Sequence, residues 1–322
     1  MEALLEIRDL IIKEEEFIIT SHMRPDGDSI ATQIALALAL KKLERKVLIL
    51  NKDEVPYMYS FLPGVELIQK ADEIPDYPKS VFYIECSDFD RPGLKINDNN
   101  HFIINIDHHI TNTMFGDINW IDAKAPAAGA MIYDFIKLMN IELTKDIASN
   151  IFAAIASDTG GFRYNLYERT FYLCQEMVKA GIKAEEIIKN LYGGYPASRI
   201  RLLAEVLKTI NFDANGKVVW IKLTKEMLQK VGADSVDCEG FIDYVLFIEG
   251  VEMALFFKQV EDNKVRVSLR SAGNIDVSPI ARQFGGGGHK YASACTLPWE
   301  LDVAINSFIT SLKEFYKKEL DL

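Results

Sequence analysis

Through roughly the first 190 residues the hydrophobic positions fall into two alternating textures, one short and dense, one longer and periodic. The dense runs are FIIT at 17–20, KVLIL at 46–50, SVFYIEC at 80–86 and HFIINID at 101–107, each rich in β-branched or aromatic residues and each predicting a strand. Between them, Ile30 to Leu40 is apolar almost all the way round, which predicts a helix buried in a core. It is too short to cross a membrane, for which about 20 apolar residues are needed. Thr144 is the predicted N-cap of a helix carrying Ile147, Ile151, Ala154 and Ile155 on one face, and the paired glycines of SDTGG (157–161) end it. Amphipathic segments near 169–180 and 184–191 complete the unit. Strand alternating with helix predicts an α/β fold whose parallel sheet carries helices on both faces.

The texture changes after YGGYPAS (192–198), where Gly-Gly, Pro and Ser cluster. RIRLLAEVLKTI reads as a linker helix, and KVVWIKL (217–223), VEMALFFKQV (251–260) and KVRVSLR (264–270) read as strands of a smaller, mixed α/β domain. The expected organisation is a catalytic domain over 1–191, a linker over 192–210 and a second domain over 211–322, with the active-site cleft between the two domains. No internal repeat or low-complexity tail interrupts it.

Composition narrows the ligand. The 322 residues carry 36 Lys and Arg against 47 Asp and Glu, a net charge of −11, which argues against the basic stripe that long duplex nucleic acid requires. A short phosphorylated ligand gripped by metal ions and a few arginines remains compatible. The opening MEALLEIRDLIIKEEEF has acidic residues where a signal peptide would be positive, so a cytoplasmic protein without a membrane partner is expected. Cys86, Cys174, Cys238 and Cys295 form no CxxC pair, which predicts free thiols and no zinc ribbon. Cys86 reads as an ordinary buried thiol.

Candidate chemistry gathers at the strand ends. Pro25 and Gly27 break the chain after FIIT, and His22, Asp26 and Asp28 lie there in front of the buried helix. NIDHHITNT (105–113) repeats the arrangement, delivering Asp107, His108 and His109 as a strand ends. FYIECSDFDR adds Glu85 and Asp88, and AIASDTGGF adds Asp158. Of the five histidines, His101 alone looks like an incidental surface residue. In open α/β sheets ligands bind beyond the carboxyl ends of strands. Carboxylates concentrated at one sheet edge cost many kcal/mol unless cations neutralise them or protons bind. An oxygen-rich set with few imidazoles and no thiolate pair favours Mn²⁺ or Mg²⁺. Two such ions about 3.5–4 Å apart would activate a water for hydrolysis of a phosphate ester. In the second domain, the strand bearing Arg266 and Arg270 leads through Ile275, Val277, Ile280 and Phe284 to the run Gly285–Gly288 and His289. Glycines tied down at both ends let backbone N–H groups approach a phosphate, and Arg270 can grip it bidentately.

SHMRPDGDS, ECSDFDR, the DHH triplet 107–109, ASDTGGFRY and GGGGH, in this order, resemble the motifs of the DHH phosphoesterase superfamily, specifically its small two-domain members with the GGGH-containing DHH-associated C-terminal domain. The resemblance covers essentially the whole chain. It implies a dinuclear manganese site, with Mg²⁺ or Co²⁺ as substitutes, held by His22, Asp26, Asp28, Glu85, His108 and Asp158. Glu85 departs from the Asp usual at that position, and Ala294 stands where Gly is expected. The resemblance further implies that His109 contacts the scissile phosphate, that Asp107 orients the histidines, and that Arg270, Gly287, Gly288 and His289 bind substrate. Family members of this domain content are oligoribonucleases (nanoRNases) and 3′-phosphoadenosine 5′-phosphate phosphatases. The implied function is hydrolysis of short oligoribonucleotides to 5′-mononucleotides and of the bisphosphate to AMP. Linear or cyclic diadenylate phosphodiesterase activity is the alternative within the family, and a catalytically weak nucleotide-binding protein, motivated by Glu85, is the alternative outside it. Oligomeric state and cleavage polarity stay open.

Overall fold

In a computed structural model, which describes residues 2–96 and 100–320 and leaves the side chains of Ala214 and His289 aside, the chain divides into two units, Met1–Gly194 and Tyr195–Leu322. The first runs α1 (Glu2–Lys13), β1 (Glu16–Ser21), α2 (Gly27–Lys42), β2 (Lys46–Asn51), β3 (Ile68–Lys70), β4 (Ser80–Ile84), β5 (Phe102–Asp107), β6 (Ile118–Ile121), α3 (Ala128–Leu138), α4 (Lys145–Asp158), α5 (Glu168–Lys179) and α6 (Ala184–Tyr192). Its strands form one sheet in the order β3-β2-β1-β4-β5-β6, parallel throughout. The order reverses between β1 and β4, which creates a topological switch point at their carboxyl ends. Ser21 pairs with Ile84 and Ile84 with Ile106, so β1, β4 and β5 end level with one another. The three strands are almost wholly buried, as strands covered on both faces must be. Each large side chain such as Phe17 or Phe82 contributes about 1.5–3 kcal/mol by leaving water.

Helix α2 starts three residues before its apolar run because Asp26 is the N-cap, accepting from the Ser29 amide at 2.9 Å. Thr144 caps α4 through the Ile147 amide, and α4 ends at Asp158, as the glycines after it predicted. Gly27 lets α2 approach α4 closely, since a Cβ there would stand 2.3 Å from Ser157 Oγ. Hydrophobic patterning did not reveal α1, α3, β3 or β6.

The second unit runs α7 (Ala197–Leu207), β7 (Asn211–Asp213), β8 (Val218–Leu223), α8 (Lys225–Val231), α9 (Phe241–Leu246), β9 (Met253–Glu261), β10 (Lys264–Ser271), α10 (Ser278–Gln283), β11 (Gly287–His289), β12 (Ala292–Leu297) and α11 (Leu301–Phe315). Its mixed sheet has the order β11-β12-β10-β9-β8-β7, with β8 and β9 the parallel pair. The core is built from one face of that sheet with α10 and α11, around Leu255, Phe257, Val267, Leu269, Ile280 and Phe308. Most of residues 199–210, expected as a linker helix, fall in α7 (Ala197–Leu207) of this unit, tied in by Arg199, whose guanidinium donates to the carbonyls of Asp237 and Glu239. Among the described residues no helix is long and apolar enough to cross a membrane.

Candidate metal centre

The three level strand ends at the switch point each turn polar at the next residue. His22 follows β1, Glu85 follows β4, and Asp107, the last residue of β5, leads into His108 and His109. Asp26 and Asp28 come from the start of α2, and Asp158 from the end of α4. The sequence-predicted ligand residues therefore converge. His22, Asp26 and Glu85 form one group of donor atoms mutually within 4.8 Å, and Asp28, His108 and Asp158 form another. Glu85, His108 and His109 make a third that links them. The Glu85 carboxylate lies between the first two: Oε2 is 3.8 Å from His22 Nε2 and Oε1 is 2.8 Å from His108 Nε2. Glu85 holds a left-handed backbone (φ 59), which costs a non-glycine residue about 1–3 kcal/mol and is typical of functional positions. Asp88 bonds locally to Ser87 and the Asp90 amide and joins none of these groups.

Burial makes the charges interact strongly. Burial and then the Glu85 charge push the Asp28 carboxyl well above its usual range. Asp158 rises to about 6, first by burial and then by Glu85 and Asp26, against the pull of His108. Burial would also raise Glu85, but His109, His108 and His22 hold it well below the usual carboxylate range. Burial opposes protonation of His108, yet Asp158, Glu85 and Asp28 raise it well above an ordinary imidazole. His22 is raised the same way, Glu85 and Asp26 outweighing burial. Without metal, protons do the neutralising. This carboxylate–imidazole donor set, without thiolate, fits a hard divalent cation. The nearest thiol, Cys86, is buried, donates to the Ile84 carbonyl and is pushed far up by burial.

Two supports surround these groups, of which the first was not visible in the sequence. The Asp28 carboxylate caps α3 from another element: Oδ2 accepts from the Ala128 amide (2.7 Å), and Oδ1 accepts from the Gly129 amide (3.1 Å) and Thr32 Oγ1 (2.7 Å). The positive end of the helix dipole thereby stabilises the carboxylate and fixes its direction. Asp107 is fully buried, with Oδ1 facing His109 Nδ1 at 2.6 Å and accepting from the His108 and His109 amides. His109 is thereby raised to about 9, Asp107 and Glu85 outweighing burial. Asp107 is lowered in turn by His109, despite its own burial. His101 is a correction to the expected surface residue: it is 8 % exposed, with Nε2 2.9 Å from the Pro75 carbonyl, and it lies apart from the metal groups.

In the second unit Arg270 lies on the more open face of β10, where Val265, Val267 and Leu269 alternate inward. Arg270 pairs with Ala292 of β12, and Ala292 pairs with His289 of β11, so Arg270 and His289 share one register row. The side chain of His289 lies outside the described residues. The glycines divide by need. Gly288 has φ +138, and a Cβ on Gly286 would meet the Ala294 carbonyl at 2.1 Å, so the fold requires both. A methyl on Gly287 would meet nothing within 4 Å, and its backbone is not left-handed, so packing does not explain its bareness.

The relatives are consistent with this architecture. A bifunctional oligoribonuclease and PAP phosphatase, NrnA, of Thermus thermophilus is 30 % identical, the match covering 94 % of this chain and 90 % of that protein. Its Bacillus subtilis counterpart is 26 % identical over 93 % and 96 %. The solved structure of an exopolyphosphatase-related protein from Bacteroides fragilis superposes with a TM-score of 0.88 over 100 % of this chain and 98 % of that one, at 24 % identity, which establishes the fold alone. Residues 16–156 match the DHH family N-terminal domain and residues 215–318 match the DHHA1 domain, and with both matched in order along one polypeptide the chain belongs to the DHH family.

Proposed function

We propose that the protein is a divalent-metal-dependent phosphoesterase that hydrolyses short oligoribonucleotides to 5′-mononucleotides and 3′-phosphoadenosine 5′-phosphate to AMP. The observation that carries the reading is the pair of carboxylate–imidazole triads joined through Glu85 and His108 at the switch point. The activities named for the Thermus and Bacillus relatives supply the substrate class.

In this reading His22, Asp26 and Glu85 would hold one divalent cation, with Mn²⁺ the candidate, and Asp28, His108 and Asp158 would hold a second, the two Glu85 oxygens facing His22 and His108. Cations held there would lower the pKa of a bound water and stabilise the attacking and leaving oxygens of phosphoryl transfer. Asp107 keeps a proton on Nδ1 of His109, so Nε2 is the ring atom that meets the scissile phosphate and the charge that develops on it. Arg270 grips a substrate phosphate, the amides of Gly287 and Gly288 line the same ligand, and His289 completes the set. The bare Gly287 supports this, because its missing side chain serves no neighbour in the fold. A short substrate also suits the net charge of −11.

The test is hydrolysis of an RNA ladder from dinucleotide upward, of linear diadenylate and of 3′-phosphoadenosine 5′-phosphate, each with Mn²⁺ and with chelator. Manganese-dependent release of mononucleotides and AMP is expected. A metal-loaded protein that binds nucleotide but cleaves none of these substrates would overturn the proposal in favour of a binding protein.

A further inference from the structure

Asn112 lies five residues beyond Asp107, and its side-chain amide is fully engaged. Nδ2 donates to Asp107 Oδ2 at 2.6 Å and to the Cys86 carbonyl at 2.9 Å. Oδ1 accepts from Asn105 Nδ2 at 3.1 Å and from the Met114 amide at 2.8 Å. Two donors and two acceptor positions are all an amide has, so every one is used. The network also fixes which end is nitrogen, because a flipped amide would set its oxygen against a carboxylate and a carbonyl and its nitrogen against two donors.

The contacts have a direction. Asp107 has two oxygens, one on His109 Nδ1 and the other on Asn112 Nδ2, so the carboxylate plane is held from the side opposite the imidazole. A carboxylate with one oxygen loose could rotate and let His109 turn with it. The second donation, to the carbonyl of Cys86, binds the segment after β5 to the residue that follows Glu85. Thr113 adds a tie to the same loop, its amide donating to the Ser87 carbonyl at 2.9 Å. One side chain thus sets the spacing between the Glu85 loop and the His109 loop and the orientation of the group that orients His109.

We infer that Asn112 is a positioning residue for the reaction, acting through Asp107 to hold the His109 ring with Nδ1 on Asp107 and at a fixed angle to the substrate phosphate. The inference rests on the phosphoesterase reading above. Partners that orient active-site ligands from behind typically alter activity 10- to 100-fold when removed. Asn112→Ala is therefore expected to lower kcat about 10- to 100-fold while KM and bound metal stay within about twofold of wild type.

The deciding experiment is a double-mutant cycle on the metal-loaded full chain, with Asn112→Ala measured in the wild-type and His109→Ala backgrounds. If Asn112 acts through His109, its removal costs little more once the imidazole is gone, within about threefold. A generally structural residue would impose its full loss in both backgrounds, and that multiplicative result would overturn the inference. Should Asn112→Ala not fold, Asn112→Asp keeps the shape and the acceptor for Met114 and reverses only the donor side; activity equal to wild type in it would be equally fatal. ¹⁵N-histidine NMR of the magnesium-loaded protein separates this claim from the functional one. A slowly exchanging Nδ1–H signal of His109 that broadens or vanishes in Asn112→Ala supports the positioning role even if no substrate is cleaved, and one that is unchanged refutes it even in an active enzyme.

Discussion

Replacing Gly129 with alanine tests whether α3 holds the Asp28 carboxylate. A Cβ at Gly129 would sit 2.5 Å from the Ala154 Cβ and 3.1 Å from Thr32 Oγ1. Carbon atoms in contact prefer about 3.5–4.0 Å, so α3 and α4 must separate by roughly 1 Å. The amides of Ala128 and Gly129 move with α3, and their hydrogen bonds to Asp28, now 2.7 and 3.1 Å, lengthen to the limit of usefulness. Overpacking costs about 1–3 kcal/mol, and each of the two weakened hydrogen bonds to Asp28 contributes about 0.5–1.5 kcal/mol. Because one displacement causes both losses, a total of about 3–5 kcal/mol is expected, a large share of a typical stability of about 5–15 kcal/mol. Urea unfolding of the metal-free protein reads this loss directly. Calorimetric titration with Mn²⁺ should show the affinity of the Asp28 triad reduced about 10- to 100-fold, as for other disturbed ligand supports. Unchanged unfolding together with unchanged metal affinity would refute the idea that α3 fixes Asp28.

Gly287→Ala should leave the melting temperature unchanged, since its methyl meets nothing within 4 Å, but raise KM several-fold in steady-state assays. Gly286→Ala should instead destabilise the second unit, its Cβ falling 2.1 Å from the Ala294 carbonyl, as thermal unfolding would record. Glu85→Gln removes the charge between His22 and His108 and should cost the protein bound metal, measured by elemental analysis, along with turnover. In the metal-free protein, Asp158 (raised to about 6) and His109 (raised to about 9) are both stabilised by their protons. The stability that Asp158 contributes is therefore fully present below its ordinary value and lost as pH rises through about 6, and that of His109 is present below the ordinary imidazole value and lost through about 9. Scanning calorimetry should show the metal-free melting temperature falling from pH 5 to 9, and titration of metal near pH 6 should release protons, read as a heat that depends on the buffer's ionisation enthalpy.

The elements legible from the sequence are those whose signal is local. The three strands buried on both faces announce themselves as unbroken apolar runs, and α4 carries its own Thr144 cap. Helix α3 does not: Ala127 precedes it without a side-chain cap, because the cap is Asp28, far back in the chain. Strand β6 is four residues long with alternating half-buried positions at a sheet edge, and β3 is three residues long and largely exposed, both too short for a period to emerge. The candidate ligands were legible because carboxylates and imidazoles stand directly after apolar strands. Their supports were not, since Thr32 and Gly129 look like ordinary helix residues and Asn112 like an ordinary turn residue until Asp28 and Asp107 reach them. Glu85 raised the question of whether a longer side chain could serve; its left-handed backbone is a conformation no pattern of residue types discloses.

The spread of the candidate ligands along the chain also shapes how the protein folds. They come from the ends of β1, β4 and β5, the start of α2 and the end of α4, so the first and last, His22 and Asp158, are separated by nearly the whole sheet. Such non-local contacts form late and slowly, because the loops joining them must close first. A nascent or partly folded chain therefore presents no complete triad, and metal cannot nucleate the fold. Bound there, it would act as a latch on the finished one, slowing unfolding while leaving the refolding rate nearly untouched. Metal supply would govern how long each molecule lasts more than how readily it is made.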